Sequence, residues 1–402
     1  MTFGKDYRPR IAERPPRDMG QGLRGSGRNL VHAADHNDRV TLEALRRAGA
    51  LTRQDLTVVT GLTAPGISNI MRRLLDAGLV RQVSGTRATR FAIEAGGAYG
   101  MGIDVEGAAV STVIVDLKGD IRLRERRHAA SDQPADIAAA LRASAFATAS
   151  RLPAAVSDRL LGIGVTSTVD PDRVAQALAP FLVIQERDTA CAALGERLLG
   201  SAPADGSFVQ VLFGKSVRAG LMIRGGLFDG AMHRAGRIGQ MRTGEDGRLL
   251  DDAAQLGGLA PLLAEHFDRA DNPDDFLSQL ETHAALAVEN WLDRSTSHFL
   301  DAVIAISGFI APSAIFVGGR LPGDLVDRLA GRLSVAEAQR MSNPKQPQWL
   351  PQILPATLRS DCVVLGAAIL PFLEFLLPDP RRPPELRGRS GEAGYAAGLP
   401  GA

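Results

Sequence analysis

The sequence predicts an α/β protein with two folded regions, a small N-terminal winged helix-turn-helix and a larger region in which helices and strands alternate. The first observation is length, because 402 residues are too many for one ordinary hydrophobic core. The second is composition, since 45% apolar and 23% charged residues are typical of globular proteins. The third is a change of hydrophobic period at Ala95-Gly96-Gly97, from helical spacing before it to alternating apolar runs after it.

Composition divides the chain into four segments. Residues 1–27 are rich in Arg, Pro and Gly and predict a flexible basic arm, and residues 378–402 predict a disordered tail. Between them, residues 28–95 are predicted to form the winged helix-turn-helix and residues 98–377 the larger domain.

Charge and hydropathy limit the function classes. The formal net charge is +1, but residues 1–95 carry 16 Lys and Arg against 9 Asp and Glu, and the remainder carries 30 against 36. A basic N-terminal quarter favours a polyanionic partner. The sequence lacks both the roughly 20 apolar residues of a membrane span and the apolar core of a secretory signal. The two cysteines, Cys191 and Cys362, are too few for a disulfide framework and are predicted to be buried packing residues, so we expect a cytoplasmic protein without a membrane partner.

Two helices open the N-terminal module. Apolar residues repeat every three to four positions along the first helix, at Val40, Leu42 and Leu45. Thr52 is predicted to cap the second helix, Arg53 to Thr60. The residues of this helix that are predicted to face inward are Leu56 and Val59.

A third helix has the pattern of a DNA recognition helix. Thr63 is a good N-cap, Pro65 lies in the first turn, and Gly78 ends the helix. One face is apolar and consists of Ile67, Ile70, Met71, Leu74 and Leu75. The opposite face consists of Pro65, Ser68, Asn69, Arg72 and Asp76. The N-terminal end of such a face meets base edges, and Arg72-Arg73 further along suit phosphates.

A hairpin follows the third helix, with strands at 79–83 and 89–93, and forms a wing with Arg87 at its tip and Arg90 at its edge. The residues expected to bind double-stranded DNA are Thr63, Pro65, Ser68, Asn69, Arg72, Arg73, Arg87 and Arg90. A helical dimerisation module with incidental arginines is the alternative interpretation. The order of helix, Gly61-Leu62-Thr63 turn, helix and hairpin resembles the winged helix of MarR-like and ROK-type repressors.

Seven separated segments of the larger region carry a second resemblance. They are Gly102–Gly107, Val113–Gly119, Glu186–Glu196, Gly225–Ala231, Ala235–Gln240, Ala311–Gly319 and Gly366–Ala368. Their order and spacing, from about Gly100 to Phe375, resemble the ROK family of repressors, open reading frames and sugar kinases. The resemblance implies a two-lobed actin-like ATPase fold (ribonuclease H-like), in which the first of these segments is a phosphate hairpin.

Several residues depart from the ROK pattern on the nucleotide side. In the first phosphate hairpin Glu106 stands where a glycine is expected, and Ala108-Ala109 replace a Thr-Lys pair. The second phosphate loop, residues 214–218, has lost two glycines of the family's Gly-Thr-Gly-Ile-Gly. Phosphoryl transfer needs backbone N–H groups close around the phosphates, so these side chains oppose organised ATP binding. Lys215 and Arg218 leave affinity for an anion open, although solvated loop charges are the plainer interpretation.

The acceptor side departs from the pattern as well. Asp188 matches the family's general base, but Arg187 and Ala190 replace its two asparagines. Arg237 stands for the glutamate and Gln240 for the histidine that hold the sugar in the family. The segment after Gln240 has no cysteine or histidine for the family's zinc site. The resemblance therefore implies a pseudokinase without catalytic residues, cofactor or metal, in which Asp188 is a vestigial general-base candidate.

Two questions stay open at this level. Asp188 is either a retained base or a helix-cap residue, and the cap is favoured because the base has lost its partners. Arg187 and Arg237 either clamp an acidic ligand between two guanidiniums, or Arg237 pairs with Glu186 and fills an empty cleft. The residues expected to line a ligand site are Glu186, Arg187, Asp188, Arg237 and Gln240. His233 is interpreted as a loop residue.

Together these patterns predict a transcriptional regulator, most simply a repressor, that binds a pseudo-palindromic operator as a homodimer or tetramer. The larger domain is expected to supply dimerisation and a pocket for a small sugar-derived or acidic effector. When bound to DNA, the protein is expected in the bacterial nucleoid. The alternatives are an active ATP-dependent sugar kinase that carries a DNA-binding domain and a ligand-independent architectural DNA-binding protein.

Overall fold

The computed structural model describes residues 29–83, 88–257, 259–269, 275–340 and 350–381. The predicted basic arm, Arg87 at the wing tip and residues 382–402 of the predicted tail lie outside these ranges. Among the helices in these ranges, none has the length and apolar character needed to cross a membrane.

The N-terminal part folds as three helices and a three-stranded sheet. In chain order the elements are α1 (Asn29–Ala48), β1 (Ala50–Thr52), α2 (Arg53–Thr60), α3 (Ala64–Asp76), β2 (Val80–Val83) and β3 (Arg90–Ile93). The strands are antiparallel in the order β1-β3-β2, so that β2 and β3 form the arms of the wing. The predicted winged helix-turn-helix is confirmed.

Helix α2 begins and ends where its sequence predicts. The Asp55 N–H donates to Thr52 Oγ1 (3.1 Å) and the Thr52 N–H donates to Asp55 Oδ2 (2.9 Å), which is a reciprocal capping box. Gly61 follows the helix with a φ of 69°. Leu56 is buried as predicted, but Val59 is 61% exposed, so its predicted inward position was wrong. The helix has only eight residues, and Leu56 is the one among them that is buried.

A five-stranded sheet forms the first lobe of the larger domain. Its elements are β4 (Tyr99–Glu106), β5 (Ala109–Asp116), β6 (Ile121–His128), α4 (Pro134–Ser150), α5 (Ala154–Ser157), β7 (Leu160–Thr166), α6 (Pro171–Leu178) and β8 (Val183–Gln185). The strand order is β6-β5-β4-β7-β8, with β5 antiparallel to β4 and to β6, and with β7 and β8 parallel to β4. Helix α7 (Asp188–Leu198) leads from this lobe to the next.

The second lobe repeats this topology, with the order β11-β10-β9-β14-β15. Its elements are β9 (Phe208–Phe213), β10 (Arg218–Ile223), β11 (Gly226–Phe228), β12 (Arg242–Thr243), β13 (Arg248–Leu249), α8 (Leu250–Ala253), α9 (Leu259–Arg269), α10 (Thr282–Ile310), β14 (Ala314–Gly319), α11 (Gly323–Arg340) and β15 (Gln352–Pro355). Two further helices, α12 (Cys362–Ala368) and α13 (Leu370–Phe375), return to the first lobe. The repeated strand order confirms the predicted two-lobed architecture.

Glycines allow α12 to lie directly against its neighbours. A Cβ atom on Gly102 of β4 would overlap the carbonyl oxygen of Val364, and one on Gly366 would overlap the carbonyl oxygen of Cys191 in α7. Helices α7 and α12 therefore cross with their backbones in contact, beside the first sheet.

The winged helix-turn-helix packs on the C-terminal helices and on α7. One hydrophobic cluster contains residues of α1 and α3 together with residues of α7, α12 and α13. Arg39 of α1 donates from Nη1 to the carbonyl oxygens of Leu373 and Leu377, both at 3.0 Å, and from Nη2 to that of Glu374 at 2.8 Å. This guanidinium therefore caps the carbonyl end of α13.

Candidate DNA interface and inter-lobe cleft

Helix α3 has one buried and one exposed face. Thr63 caps it by accepting a hydrogen bond from the Gly66 N–H (3.4 Å), and Pro65 lies in the first turn. The buried residues are Ile67, Ile70, Met71 and Leu74, and Leu75 is half-buried. The exposed residues at its cap and on its outer face include Thr63, Pro65, Ser68, Asn69, Arg72 and Arg73. The exposed face of α3 thus carries the side chains expected there from the sequence.

The two arginines of α3 have different surroundings. Arg72 Nη2 donates to Asn69 Oδ1 on the same helix (3.2 Å), and the side chain stays exposed. Arg73 is ion-paired with Asp38 of α1, and its Nε donates to Asp38 Oδ2 at 3.1 Å. This hydrogen bonding raises the pKa of Arg73. Arg73 therefore links α3 to α1, and Arg72 is the freer of the two to reach a phosphate.

The described part of the wing adds two exposed arginines, the predicted Arg90 and Arg81 of β2, which lies 3.7 Å from Glu94. Arg90 begins β3 and pairs in register with Val83 of β2 and Thr52 of β1. On the neighbouring helix, the Arg53 guanidinium lies 4.9 Å from the centre of the Phe91 ring. Arg87 lies outside the described residues.

A cleft of about 720 Å³ lies between the two lobes. The first phosphate hairpin, the second phosphate loop, the start of α7 and the loop before β12 line it. All the residues that the sequence predicts at a ligand site are among its lining residues, namely Glu186, Arg187, Asp188, Arg237 and Gln240. The fold therefore brings these separated segments into one cavity.

A largely buried arginine outside the predicted set also lines the cleft. Arg320, directly after β14, donates to Asp104 of β4 from Nε to Oδ2 (2.9 Å) and from Nη2 to Oδ1 (2.7 Å). It also lies 3.4 Å from Glu106 and 3.5 Å from Asp188. Burial raises the pKa of Asp104, but the Arg320 charge and hydrogen bonds, with that from the Thr166 hydroxyl, hold it below its ordinary value. The buried carboxylate is therefore charged and paired across the two lobes.

Asp188 belongs to the same network. It is the first residue of α7, and the N-cap position is Arg187, so the favoured interpretation of Asp188 as the cap was wrong. Its carboxylate accepts hydrogen bonds from Arg218 Nη1 (3.1 Å) and Nη2 (2.6 Å), in addition to one from the Thr189 N–H (2.7 Å). The second phosphate loop thus directs Arg218 onto this carboxylate, and Arg218 is not the solvated charge that the sequence suggested.

The two arginines of the predicted ligand site differ from each other. Arg187 bonds through Nη2 to Asp229 and lies 3.8 Å from Glu186. Arg237 lines the cleft with an exposed side chain and makes no ion pair or hydrogen bond with a described residue. The suggested pair between Arg237 and Glu186 does not form, and Glu186 instead accepts a hydrogen bond from the Arg187 backbone N–H at 2.9 Å. Arg237 is therefore open to a ligand.

Side chains occupy the region between the two phosphate loops. A Cβ on Gly214 would lie 3.3 Å from Glu106 Oε1, and a Cβ on Gly107 would lie 2.9 Å from Lys215 Nζ. Burial raises the pKa of Glu106 above its ordinary value. A carboxyl group and an ammonium group thus lie beside the backbone that would have to approach a nucleotide.

Known proteins share this architecture. Residues 35–81 match the family model for winged helix-turn-helix DNA-binding domains. A solved ROK family transcriptional regulator, a homologue of the E. coli MLC protein, aligns with a TM-score of 0.64 at 15% identity over 87% of this chain and 98% of that one. The chain has the winged helix-turn-helix and ROK folds. A ROK family glucokinase from Streptomyces griseus, solved with glucose and AMPPNP, aligns with a TM-score of 0.50 at 18% identity over 68% and 99% of the two chains.

Relatives found by sequence are 22–25% identical to this chain. The Uncharacterized protein y4fQ of Sinorhizobium fredii is 25% identical over 321 residues, which are 73% of this chain and 80% of that protein. The xylose repressors of Bacillus spizizenii and Bacillus subtilis are each 22% identical over 230 residues, or 51% of this chain. The match spans 60% of the length of each repressor.

Within the two-lobed domain, Arg320 is the ion-paired cleft residue that the sequence did not indicate. It directly follows Gly318-Gly319, the end of the segment Ala311–Gly319 that resembles the family. A signal was present, because ligands of open α/β sheets bind outside the carboxyl ends of the strands, which makes residues at those ends candidates for a site. Asp104 near the end of β4 and Arg320 after β14 are such residues, one in each lobe.

The two cysteines and His233 lie where the sequence predicts them, in the core and in an exposed loop. Cys191 and Cys362 are buried as predicted, and burial raises the pKa of both thiols, that of Cys362 to about 12. His233 is an exposed loop residue with its Nδ1 3.2 Å from Asp229 Oδ2. In the ranges that the structure describes, no group of three or more His, Cys, Asp or Glu residues is arranged to hold a metal ion.

Proposed function

We propose that this protein is a transcriptional repressor whose helix α3 enters the major groove of an operator while the wing contacts the adjacent backbone. The exposed polar face of α3, on a domain joined to a ROK domain, is the observation that carries this proposal. The likeness to two xylose repressors supports repression as the mode of regulation. The residues proposed at the interface are Thr63, Pro65, Ser68, Asn69, Arg72, Arg73, Arg87 and Arg90.

Binding of the full-length protein to DNA from upstream of its own coding region tests this proposal, by fluorescence anisotropy across a range of salt concentrations. We expect saturable, sequence-selective binding that weakens as salt rises. Arg72→Ala should weaken binding to all sequences and reduce the salt slope by about one. Arg173→Ala in α6 removes the same charge from the surface of the ROK domain and serves as the control. Equal binding to unrelated DNA, or binding that Arg72→Ala leaves unchanged, contradicts the proposal.

We also infer that the ROK domain does not transfer phosphoryl groups. A sugar kinase needs a carboxylate that is free to accept the proton of the acceptor hydroxyl. Asp188 instead accepts two hydrogen bonds from Arg218 and lies 3.5 Å from Arg320. Thermal unfolding with and without ATP-Mg, and a coupled assay with a panel of sugars, test this inference beside an active ROK glucokinase. ATP-dependent sugar phosphorylation would overturn it and favour the kinase interpretation.

The cleft is proposed to bind a small sugar-derived or acidic effector that changes operator affinity. Helix α7 begins at Asp188 in the cleft and ends at Leu198, beside α1 of the DNA-binding domain. A change in the position of one lobe relative to the other can therefore reach the DNA-binding domain through a single helix.

The repressor is proposed to act as a homodimer or tetramer, because two recognition helices must meet major grooves separated by whole helical turns. It would act in the cytoplasm and be associated with the nucleoid when bound to DNA. Light scattering of the protein alone and with a two-half-site operator measures the assembly. A monomer that binds a single half-site as tightly as the full operator contradicts the dimer.

A further inference from the structure

The basic side chains in the inter-lobe cleft fall into two groups. Among the residues that line the cleft, Arg187, Arg218 and Arg320 each have a carboxylate partner. Lys215 and Arg237 line the same cleft with exposed side chains, and neither forms an ion pair with a described residue. Two cations thus face a concave space without a described ion-pair partner within 4 Å, and the charge of Lys215 acts on Glu106 only at longer range.

Lys215 and Arg237 lie on neighbouring segments of backbone. Hydrogen bonds of 2.8 and 2.9 Å join segment 236–239 to segment 217–219. Arg237 therefore lies on a strip that runs beside the second phosphate loop, and Lys215 lies in that loop. The backbone segments that carry the two side chains are therefore adjacent in the fold, although 21 residues separate Lys215 from Arg237 in the chain.

The carboxylates that line the cleft are engaged elsewhere. Glu106, Glu186, Asp188 and Asp251 each lie within 4 Å of a donor other than Lys215 and Arg237. The fifth, Asp132, precedes α4 and accepts from the Gln133 amide at 3.4 Å. These acidic groups therefore leave the charge of the Lys215–Arg237 pair uncompensated by direct contact.

We propose that Lys215 and Arg237 form a subsite for the anionic group, a carboxylate or a phosphate, of a small polyhydroxylated ligand. This deepens the effector site proposed above and rests on it. Arg237 offers a planar fork of N–H donors and Lys215 a compact charge, and both favour a carboxylate or phosphate. Ser167, Thr168 and Gln240 line the same cleft and supply polar groups for ligand hydroxyls. The clamp that the sequence suggested, Arg187 with Arg237, is replaced because Arg187 is committed to Asp229.

Three matched probes test the subsite by isothermal calorimetry and thermal unfolding of the full-length protein. Glucose is neutral, glucuronate carries a carboxylate at the same carbon, and glucose 6-phosphate carries a phosphate there. We expect one or both anions to bind about tenfold or more tightly than glucose, because charge-assisted hydrogen bonds are the stronger ones. The two anions distinguish a carboxylate site from a phosphate site. Equal binding of all three probes, or binding of none, overturns the proposal.

Two variants and one control assign the effect to these residues. Arg237→Gln and Lys215→Met should each reduce the preference for the anion to a few-fold or less, and thermal unfolding checks that they fold. Arg234→Gln removes the same charge from an exposed residue in the same loop that does not line the cleft, and should leave the preference unchanged. A preference that survives both cleft variants overturns the assignment.

Operator binding measured in the same samples separates this inference from the proposed function. Anion binding that leaves operator affinity unchanged supports the subsite and overturns its role as an effector site. Selective operator binding without anion binding overturns the subsite and leaves the repressor function in place.

Discussion

Arg46 of α1 donates through Nη1 to the carbonyl oxygen of Leu198, the last residue of α7. The first residue of the same helix is Asp188, which Arg218 holds in the inter-lobe cleft. An α-helix of 11 residues moves as a unit, because each turn is hydrogen-bonded to the next. The DNA-binding domain is therefore attached to a helix whose other end is in contact with the proposed ligand site.

Glu43 gives this junction a pH dependence. Burial raises its pKa, but hydrogen bonds and charges of Arg46 and Arg47 outweigh burial and leave the pKa below its ordinary value of 4.5. A pKa that is lower in the folded state stabilises the protein above the unfolded pKa, and this contribution is lost as the pH falls through the folded value. Urea unfolding should therefore show a steeper loss of stability below about pH 4.5 for the wild type than for Glu43→Gln. Identical pH profiles for the two proteins contradict this prediction.

Arg39→Ala should destabilise the docked DNA-binding domain. The change removes the donor of three hydrogen bonds to the carbonyl oxygens at the end of α13. Charged hydrogen bonds at a partly buried site suggest a loss of about 2 kcal/mol in the free energy of unfolding. Urea denaturation measures it, and Arg173→Ala, an exposed arginine in α6, should stay within about 0.5 kcal/mol of wild type. An equal effect of both changes shows that Arg39 has no special role.

Local signals in the sequence were enough for the helix caps, and the two lobes followed from the family resemblance, but neither predicted the ion pairs. Thr52 and Thr63 cap their helices as predicted, because a cap depends only on residues within one turn. The partner of a charged side chain depends on segments that meet only in the folded chain. Arg320 and Asp104 are 216 residues apart. No local pattern fixes such a choice, and the same reason explains why the partners of Arg187 and Arg218 were missed.

Arg320→Met should be strongly destabilising. It leaves the buried, charged carboxylate of Asp104 without the guanidinium that compensates it. Breaking a buried ion pair by removing one partner costs about 3–5 kcal/mol, whereas removing both charges costs less. We therefore expect Arg320→Met combined with Asp104→Asn to recover part of the loss in urea denaturation. A single variant as stable as the wild type, or a double variant that is the less stable of the two, contradicts the role of this pair.

Gly366→Ala should separate helices α7 and α12. The new Cβ would overlap the carbonyl oxygen and carbon of Cys191, and these are backbone atoms that cannot turn aside. Overpacking at such a crossing suggests a loss of about 3 kcal/mol in the free energy of unfolding. Gly331→Ala is the matched control, because this glycine lies inside α11 with no atom within 4 Å of its Cβ position. Alanine there should add about 0.5–1 kcal/mol of stability, since glycine is a poor residue for a helix interior.

Because α7 also carries Asp188 and contacts Arg46, Gly366→Ala should weaken operator binding at temperatures where the protein is still folded, and Gly331→Ala should not. Loss of stability without any change in operator affinity would show that α7 does not connect the cleft to the DNA-binding domain.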